Sequence, residues 1–386
     1  MAQLRQYALL LRLSLSTLGQ RRAAAVTIVL AMACVVGVMT SMLSATTGIV
    51  RAFRISSDPR MAMVIPNNEQ YDSGSGLAPN IIGTILDAPG IARSASGKVR
   101  ADAELMFYNP PPRVVESGSF IRIRGIGAAG AALRPGFRIV SGRMFQSGRQ
   151  ELIVGLGAQR GFGLGVGDHI ATRSAAWQIV GVYAADGVIT NELVGDAETL
   201  AAIEHRGGYG SVQARLADPS GFELFRHWLT TNPALAVTAE TQLSFYSRIA
   251  NGESEYFTAM AYLAGAILSI GALLGSVNIF YGIVSVRARE MATLRAIGYG
   301  ALPVAASVVF EALLLALIGA LAGTVGAWLM FDGREIMVDE NVYPLVVSRQ
   351  LVASGIVLAL LLALLGSLPP AMRAGRLPVI QALRAQ

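Results

Sequence analysis

The sequence predicts an α-helical membrane protein with four transmembrane helices and a mixed α/β extracytoplasmic domain between helices 1 and 2. Three observations carry that prediction. The 386 residues are 53% hydrophobic and only 15% charged, with a mean hydropathy of +0.52, too apolar for an ordinary soluble domain and too polar for a chain wholly in lipid. Uncharged windows of membrane length run from Ala23 to Val50, Tyr256 to Val286, Ala312 to Phe331 and Leu351 to Met372, and about 20 apolar residues suffice to span. The basic excess is confined to segments that alternate with these windows.

The first element, 1–22, carries Arg5, Arg12, Arg21 and Arg22 without an acid. The apolar run behind it, 23–50, is about twice the 7–15 residues of a signal-peptide core, so an uncleaved anchor is expected. Cys34 within it reads as a buried small hydrophobe in preference to a lipoprotein cysteine. The spans 23–50 and 256–286 are longer than a bilayer requires and are expected to continue as a stalk.

Between them, 51–255 should fold as a soluble domain. Strands are expected at 61–66, 119–127 (with Ile121 and Ile123 on one face), 150–155, 177–183 and 234–240. Helices are expected at 78–91, ended by Pro89 and Gly90, and at 219–229, with Ser220 as N-cap. "GLGVGD" (163–168) resembles a phosphate-binding loop but reads best as a tight turn.

The passage "VRAREMATLRAIGYG" (286–300) sets Arg287, Arg289, Glu290 and Arg295 between two apolar runs. As a helix over 287–300 it puts Met291, Leu294 and Ile297 on one face, with Arg287 and Arg295 flanking and Gly298 and Gly300 as breakers. That pattern suits an amphipathic segment on anionic headgroups or a knob inserted into a partner. The third span is expected from 302 to 331. Glu311 would then lie on the order of 14 Å deep, where a charge costs about 2.5–3.5 kcal/mol, so it must face protein or water or be protonated. A structural role is preferred to proton coupling. A loop over 332–350, a fourth span over 351–372 and a tail over 373–386 complete the chain.

Small-xxx-small patterns occur in the second span, Gly271 and Gly275, and in the third, Gly319 and Gly323. They suit close helix packing within the chain or a dimer seam, and Asn278 is a candidate interhelical hydrogen-bond partner.

Orientation follows from charge. Arg287, Arg289 and Arg295 outnumber Glu290 after the second span, and Arg373, Arg376 and Arg384 follow the fourth. Asp332, Glu335, Asp339 and Glu340 outnumber Arg334 and Arg349 between the last two, while 51–255 is balanced with nineteen of each sign. Positive-inside reading places both termini in the cytoplasm and the large domain outside. The pI near 9.7 thus marks orientation and gives no ground for a nucleic-acid partner.

Enzymatic and metal chemistry find little support. His169, His205 and His227 have no i, i+4 partner, and one cysteine builds no thiolate site. "GIARSASGKV" (90–99) fails the P-loop pattern at Ala92 and Val99, and Lys98 is the only lysine. No bound cofactor is expected in this chain.

These residues together resemble the MacB–FtsX class of ABC transporter permeases. "RAREMATLRAIGYG" is similar to that class's R-x-R-x-x-E-I-G-x-L-R-A-x-G stretch through Arg289, Glu290, Leu294, Arg295, Ala296 and Gly298, with Met291 and Ala292 in place of Ile-Gly. "PPAMRAGRLPVIQALRAQ" resembles the class's ending through Pro370, Ala371, Arg373, Ala374, Pro378, Ala382, Leu383 and Arg384. "DAPGIARSA", "SGRMF", "LGVGD" and "WQIVGVY" resemble its periplasmic core domain, whose β-rich insertion would fall near 126–195. Glu311 matches a glutamate common in the class's third span.

The resemblance implies a permease subunit in a bacterial inner membrane, paired with a separate dimer of ABC ATPase subunits that carries the ATP and magnesium. It also implies a second permease copy, identical or related, and allows a periplasmic adaptor protein. Residues 287–298 would contact the ATPase. Movement of the outside domain would export or extract a hydrophobic compound, peptide, lipid or lipoprotein. The alternative is a non-transporting mechanotransducer that regulates an extracytoplasmic hydrolase or signalling partner. A proton-driven transporter built on Glu311 is disfavoured, since four spans leave little room for repeats.

Overall fold

The computed structural model describes residues 22–111, 120–297, 300–338 and 341–376. Arg5, Arg12, Arg21, Gly298, Asp339, Glu340 and the tail motif from Pro378 through Arg384 lie outside the described residues, as does the side chain of Leu294. The chain forms two compact units, one of residues 1–47, 255–334 and 345–386, the other of residues 48–254 and 335–344.

Four helices long and apolar enough to cross a membrane occur among the described residues: α1 (Arg22–Ile55), α6 (Gln242–Val286), α8 (Ala301–Phe331) and α9 (Arg349–Arg376). At 34 and 45 residues, α1 and α6 run about 51 and 68 Å, against a hydrocarbon core of about 30 Å. A short helix α7 (Ala288–Ala296) separates α6 from α8. Helix α9 continues through Pro369 and Pro370, beyond the expected end at Met372.

In the helical unit the buried core is drawn from every one of these helices: Met32 and Val36 of α1, Phe280 and Val284 of α6, Met291 of α7, Val308 and Ala316 of α8, Ala363 and Ala371 of α9. Small residues set the spacing. A β-carbon at Gly319 would stand 2.6 Å from the Val29 carbonyl oxygen, and one at Gly323 2.9 Å from the Ala33 Cα. The third-span glycines therefore let α8 touch α1 backbone to backbone. Gly271 and Gly275 of α6 have nothing within 4 Å of a β-carbon, so the two glycine motifs have different uses. In nanodiscs holding one chain each, Gly323→Ala should lower the thermal midpoint by several degrees while Gly271→Ala leaves it unchanged; equal effects would contradict the packing.

Cys34 is exposed, a correction to its expected burial: it lies on an outward stripe of α1, beside Ala31 and Thr27 and next to Gly271 and Gly275 of α6. Asn278 is also exposed, so it does not serve as an internal interhelical bond.

The second unit is built on one ten-stranded mixed sheet. Its strands are β1 (Met61–Pro66), β2 (Ala101–Asn109), β3 (Ile121–Ile126), β4 (Arg138–Gly142), β5 (Glu151–Gly155), β6 (His169–Ala171), β7 (Ala176–Ala184), β8 (Leu193–Asp196), β9 (Ser211–Arg215) and β10 (Val237–Thr241). The order is β10-β1-β9-β2-β3-β8-β5-β7-β4, with β6 on β7. Strand β2 straddles two halves. Ala101–Glu104 pair with β9, whereas Leu105–Asn109 pair with β3. The first half packs on α2 (Pro79–Leu86) and α5 (Phe222–Thr231) through Ile85, Phe225 and Leu229. The second packs on α3 (Leu156–Phe162) and α4 (Ala197–Ile203) around Phe162, Trp177 and Leu200.

Several local expectations need adjusting. The 78–91 helix stops at Leu86 with Asp87 as C-cap, before Pro89. Ser220 is not the N-cap of α5; it lies in a 3-10 turn whose cap is Asp218, which accepts from Ser220 N and Oγ. The strand at 234–240 begins only at Val237, and α6 starts directly behind it at Gln242. The 332–350 segment contains a hairpin, β11 (Glu335–Val338) and β12 (Asn341–Pro344), that belongs to the sheet unit. Arg160 pairs with Glu335 at 2.6 Å, and Asn191 donates to the Val342 carbonyl at 3.2 Å. A span-to-span loop thus contributes two strands to a unit whose other residues end at Ser254, which no local pattern reveals.

Candidate functional site

In the helical unit, Arg287 ends α6 with a bend (φ −91°, ψ 5°) and a new helix runs over Ala288–Ala296. Glu290 in its first turn and Arg295 in its last complement the helix dipole. Arg287 does not flank an open face as expected. It is 7% exposed, and its Nε donates to Glu290 at 3.1 Å while Nη1 donates to Glu311 of α8 at 3.4 Å. Glu311 is itself buried, so the charge inside the third span is met by the first charge after the second. Met291 and Ala292 are turned into the bundle. The expected docking face of Met291, Leu294 and Ile297 is thereby divided, since Ile297 is 72% exposed and Met291 3%. What faces outward is Arg289, Glu290, Thr293, Ala296 and Ile297, with Arg295 half-buried. One side of α7 is fixed and the other presented.

The sheet unit holds a second polar centre that sequence reasoning missed. Strand β3 is buried along its whole length, so its second face, with Arg122 and Arg124, is buried as well. Arg124 forks onto Glu192 (Nε to Oε2 2.5 Å, Nη2 to Oε1 2.9 Å) and turns Nη1 toward Asp72 at 2.6 Å and Glu104 at 3.1 Å. Arg134 donates to both oxygens of Glu104 at 2.6 and 2.7 Å, and Gln213 adds a third donor. Glu104 sits where β2 changes partner, so these ion pairs join the two halves of the sheet. Arg122 reaches Glu253 of α6 at 3.3 Å, and Tyr343 of β12 donates to the same carboxylate. One set of charges thus holds β2, β3, the turn before β8, the hairpin and the start of α6 together.

Burial would raise the Asp72 carboxyl, but Arg124, by charge and hydrogen bond, holds it below the usual carboxylate range. Arg124 is driven further up by Asp72 and Glu192 against the opposing effect of burial. Asp102 behaves in the opposite way. Burial, then the Glu104 charge, pushes it up to about 7, and the Gly127 N–H offsets only part. A carboxyl whose folded pKa lies above its unfolded value stabilises the fold fully below the unfolded pKa of about 4 and loses that contribution as pH rises to about 7. Asp102→Asn should therefore gain on the parent chain between pH 5 and 8, by roughly 4 kcal/mol at the upper end for a three-unit shift. Denaturant midpoints at the two pH values check this; a constant difference would contradict it.

The signal for these residues was weak: "RIRG" reads as an ordinary alternating strand, and its acids lie 52, 20 and 68 positions away.

Four membrane-length helices, two of them overlong, a charged helix between the second and third, and a large sheet domain between the first two define the class: a multi-span membrane subunit with one large inserted domain. Residues 23–231 match the MacB-like periplasmic core domain and residues 262–379 the FtsX-like permease C-terminal domain. The chain belongs to the MacB–FtsX family of ABC transporter permeases. An uncharacterised ABC transporter permease, YknZ of Bacillus subtilis (strain 168), is 27% identical over 146 residues, 37% of this chain; the match spans 36% of that protein's length. Among solved structures, the periplasmic region of MacB from Actinobacillus actinomycetemcomitans aligns at 13% identity and TM-score 0.39, over 52% of this chain and 96% of that one. The extracellular domain of YknZ aligns at 13% identity and TM-score 0.34, over 47% and 99%.

Proposed function

We propose that this chain couples ATP hydrolysis on a separate ATPase dimer, which carries the ATP and magnesium, to movement of its sheet domain outside the cytoplasmic membrane. The movement serves export or extraction of a hydrophobic compound, peptide, lipid or lipoprotein. The observation that carries the reading is α7: Arg287 is held to Glu311 and Met291 sits in the bundle core, while Arg289, Glu290, Thr293 and Ile297 are free to meet a partner. A push on such a helix reaches α8 through a buried ion pair and α6 through the bend at Arg287. Helix α6 runs without interruption from Gln242, in the segment that binds Arg122 through Glu253, to Val286 just before α7, which supports α6 as the route of transmission.

The second permease copy docks on the outward face of α1 and α6, where Gly271, Gly275 and Cys34 lie open. Both termini and α7 are cytoplasmic, and a periplasmic adaptor would engage the sheet domain. Membrane-impermeant thiol labelling tests the topology in a Cys34→Ser background. Single cysteines at Gly207 and Thr293, both exposed, should label from opposite sides. Labelling from the same side would overturn the reading. A knockout that accumulates cargo supports export; one that silences a wall hydrolase supports the mechanotransducer.

A further inference from the structure

The sheet unit carries a groove of about 850 Å³ that takes no part in the ion network just described. It opens at the ends of β2, β3 and β6 and at the turn after α4. Its size is that of a site for a small organic molecule.

One wall is aromatic. Phe120 and Tyr108 are 41% and 42% exposed and meet edge to face with centroids 6.4 Å apart. Exposed paired rings give a ligand a large apolar contact at little entropic cost. The other wall is basic. Arg206 is stacked over Phe107 at 4.9 Å, which fixes its guanidinium plane, and Arg173 is exposed on the loop after β6. Among the described residues of the lining the one acid, Glu204, is turned to internal work, accepting from Thr172 Oγ1 at 2.5 Å and Trp177 Nε1 at 3.0 Å. Asn109 is likewise committed, donating to the carbonyls of Pro110 and Ala171. Among the described residues the groove offers two guanidinium groups, His169 and His205 against an apolar floor.

His205 adds an argument of its own. It is the one non-glycine residue at positive φ (51°) among those described. Arg206 N bonds back to the Ala201 carbonyl at 2.9 Å, so His205 holds the left-handed position that ends a helix in a Schellman turn, where glycine is the usual and cheaper residue. Glycine follows at once, at Gly207 and Gly208. Backbone economy therefore gives no reason for an imidazole here; its position in the groove lining does.

We propose that this groove is a binding site for an amphipathic anion, a molecule with one carboxylate or phosphate on an aromatic or apolar body. The rings take the body, and Arg206 and Arg173 take the head, with His205 as a further donor. Charge-assisted bonds to guanidinium are the strong ones in such a site. The site stands on the sheet unit alone; reading its occupant as cargo rests on the export function proposed above.

The test uses the full chain in zwitterionic nanodiscs and fluorescence titration with dansylglycine, which has both parts. Dansylamide lacks the carboxylate. Dansylglycine should bind saturably at one site per chain and at least tenfold more tightly than dansylamide. Arg173→Gln and Arg206→Gln should each weaken it about tenfold. His205→Gly should weaken it several-fold while the melting temperature holds or rises, which separates ligand contact from folding. Equal affinity for the two probes, or no saturable binding, or titrations unmoved by Arg173→Gln and His205→Gly, would overturn the proposal. Pull-down of the co-expressed ATPase by the same samples is scored separately. Lost probe binding with retained ATPase association sinks this inference alone, and the reverse sinks the coupling reading alone.

Discussion

Arg124→Ala is expected to abolish folding of the sheet unit. One guanidinium there serves Asp72, Glu104 and Glu192 at 7% side-chain exposure. Removing one partner of a buried pair costs about 3–5 kcal/mol because the remaining charge keeps its desolvation penalty. Here three carboxylates would share that fate, with only Arg134 and Gln213 remaining on Glu104. The sum approaches the whole 5–15 kcal/mol by which a typical domain is stable. Arg124→Lys should be intermediate, since an ammonium keeps the charge but cannot repeat the fork on Glu192. Limited proteolysis and near-ultraviolet circular dichroism read the outcome: rapid cleavage between Gly48 and Ser254 for alanine, partial protection for lysine. Protection equal to the parent chain for both would show that the ion network does not hold the sheet together.

Glu311→Ala is the second large effect. Without Glu311, Arg287 keeps Glu290, whose side chain is 59% exposed and so screened by solvent. The loss should fall near the same 3–5 kcal/mol and act on the link between α7 and α8. Replacing both partners, Arg287→Met with Glu311→Met, should restore most of the stability, because well-packed apolar residues often substitute for a buried pair without cost. A double-mutant cycle on thermal midpoints in nanodiscs measures the coupling. Additive single effects would mean that the pair is not a clamp.

The four spans were legible because membrane length and absent charge are local properties, readable in any window of the chain. Their continuation was less so: α6 begins at Gln242, fourteen residues before the uncharged run starts, because the polar stretch with Arg248 and Glu253 is helical through its contacts with the sheet. Long-range pairing was illegible. Nothing near Glu104 announces that β2 changes partners there, and nothing in Glu335–Pro344 announces membership in the sheet unit. In α7 the sequence indicated the residue types, yet the side each one faces depends on packing against α8. Thus Arg287, expected from helical spacing to flank an open face, turned inward to the span's own glutamate. Cys34 failed for a related reason: in a membrane helix apolar residues face lipid as readily as protein, so an apolar setting does not imply burial.

The most direct measurement is a photo-crosslink from the outward side of α7. With a photoreactive residue at Ile297 and the cognate ATPase co-expressed, the account predicts a covalent adduct with the ATPase, reduced by Glu290→Lys with Arg295→Glu, together with loss of stimulated ATP hydrolysis. The same probe at Gly207 should give no such adduct. An ATPase adduct at Gly207, or its absence at Ile297 with hydrolysis unaffected by the charge reversal, would contradict the claim that this helix is where the ATPase takes hold.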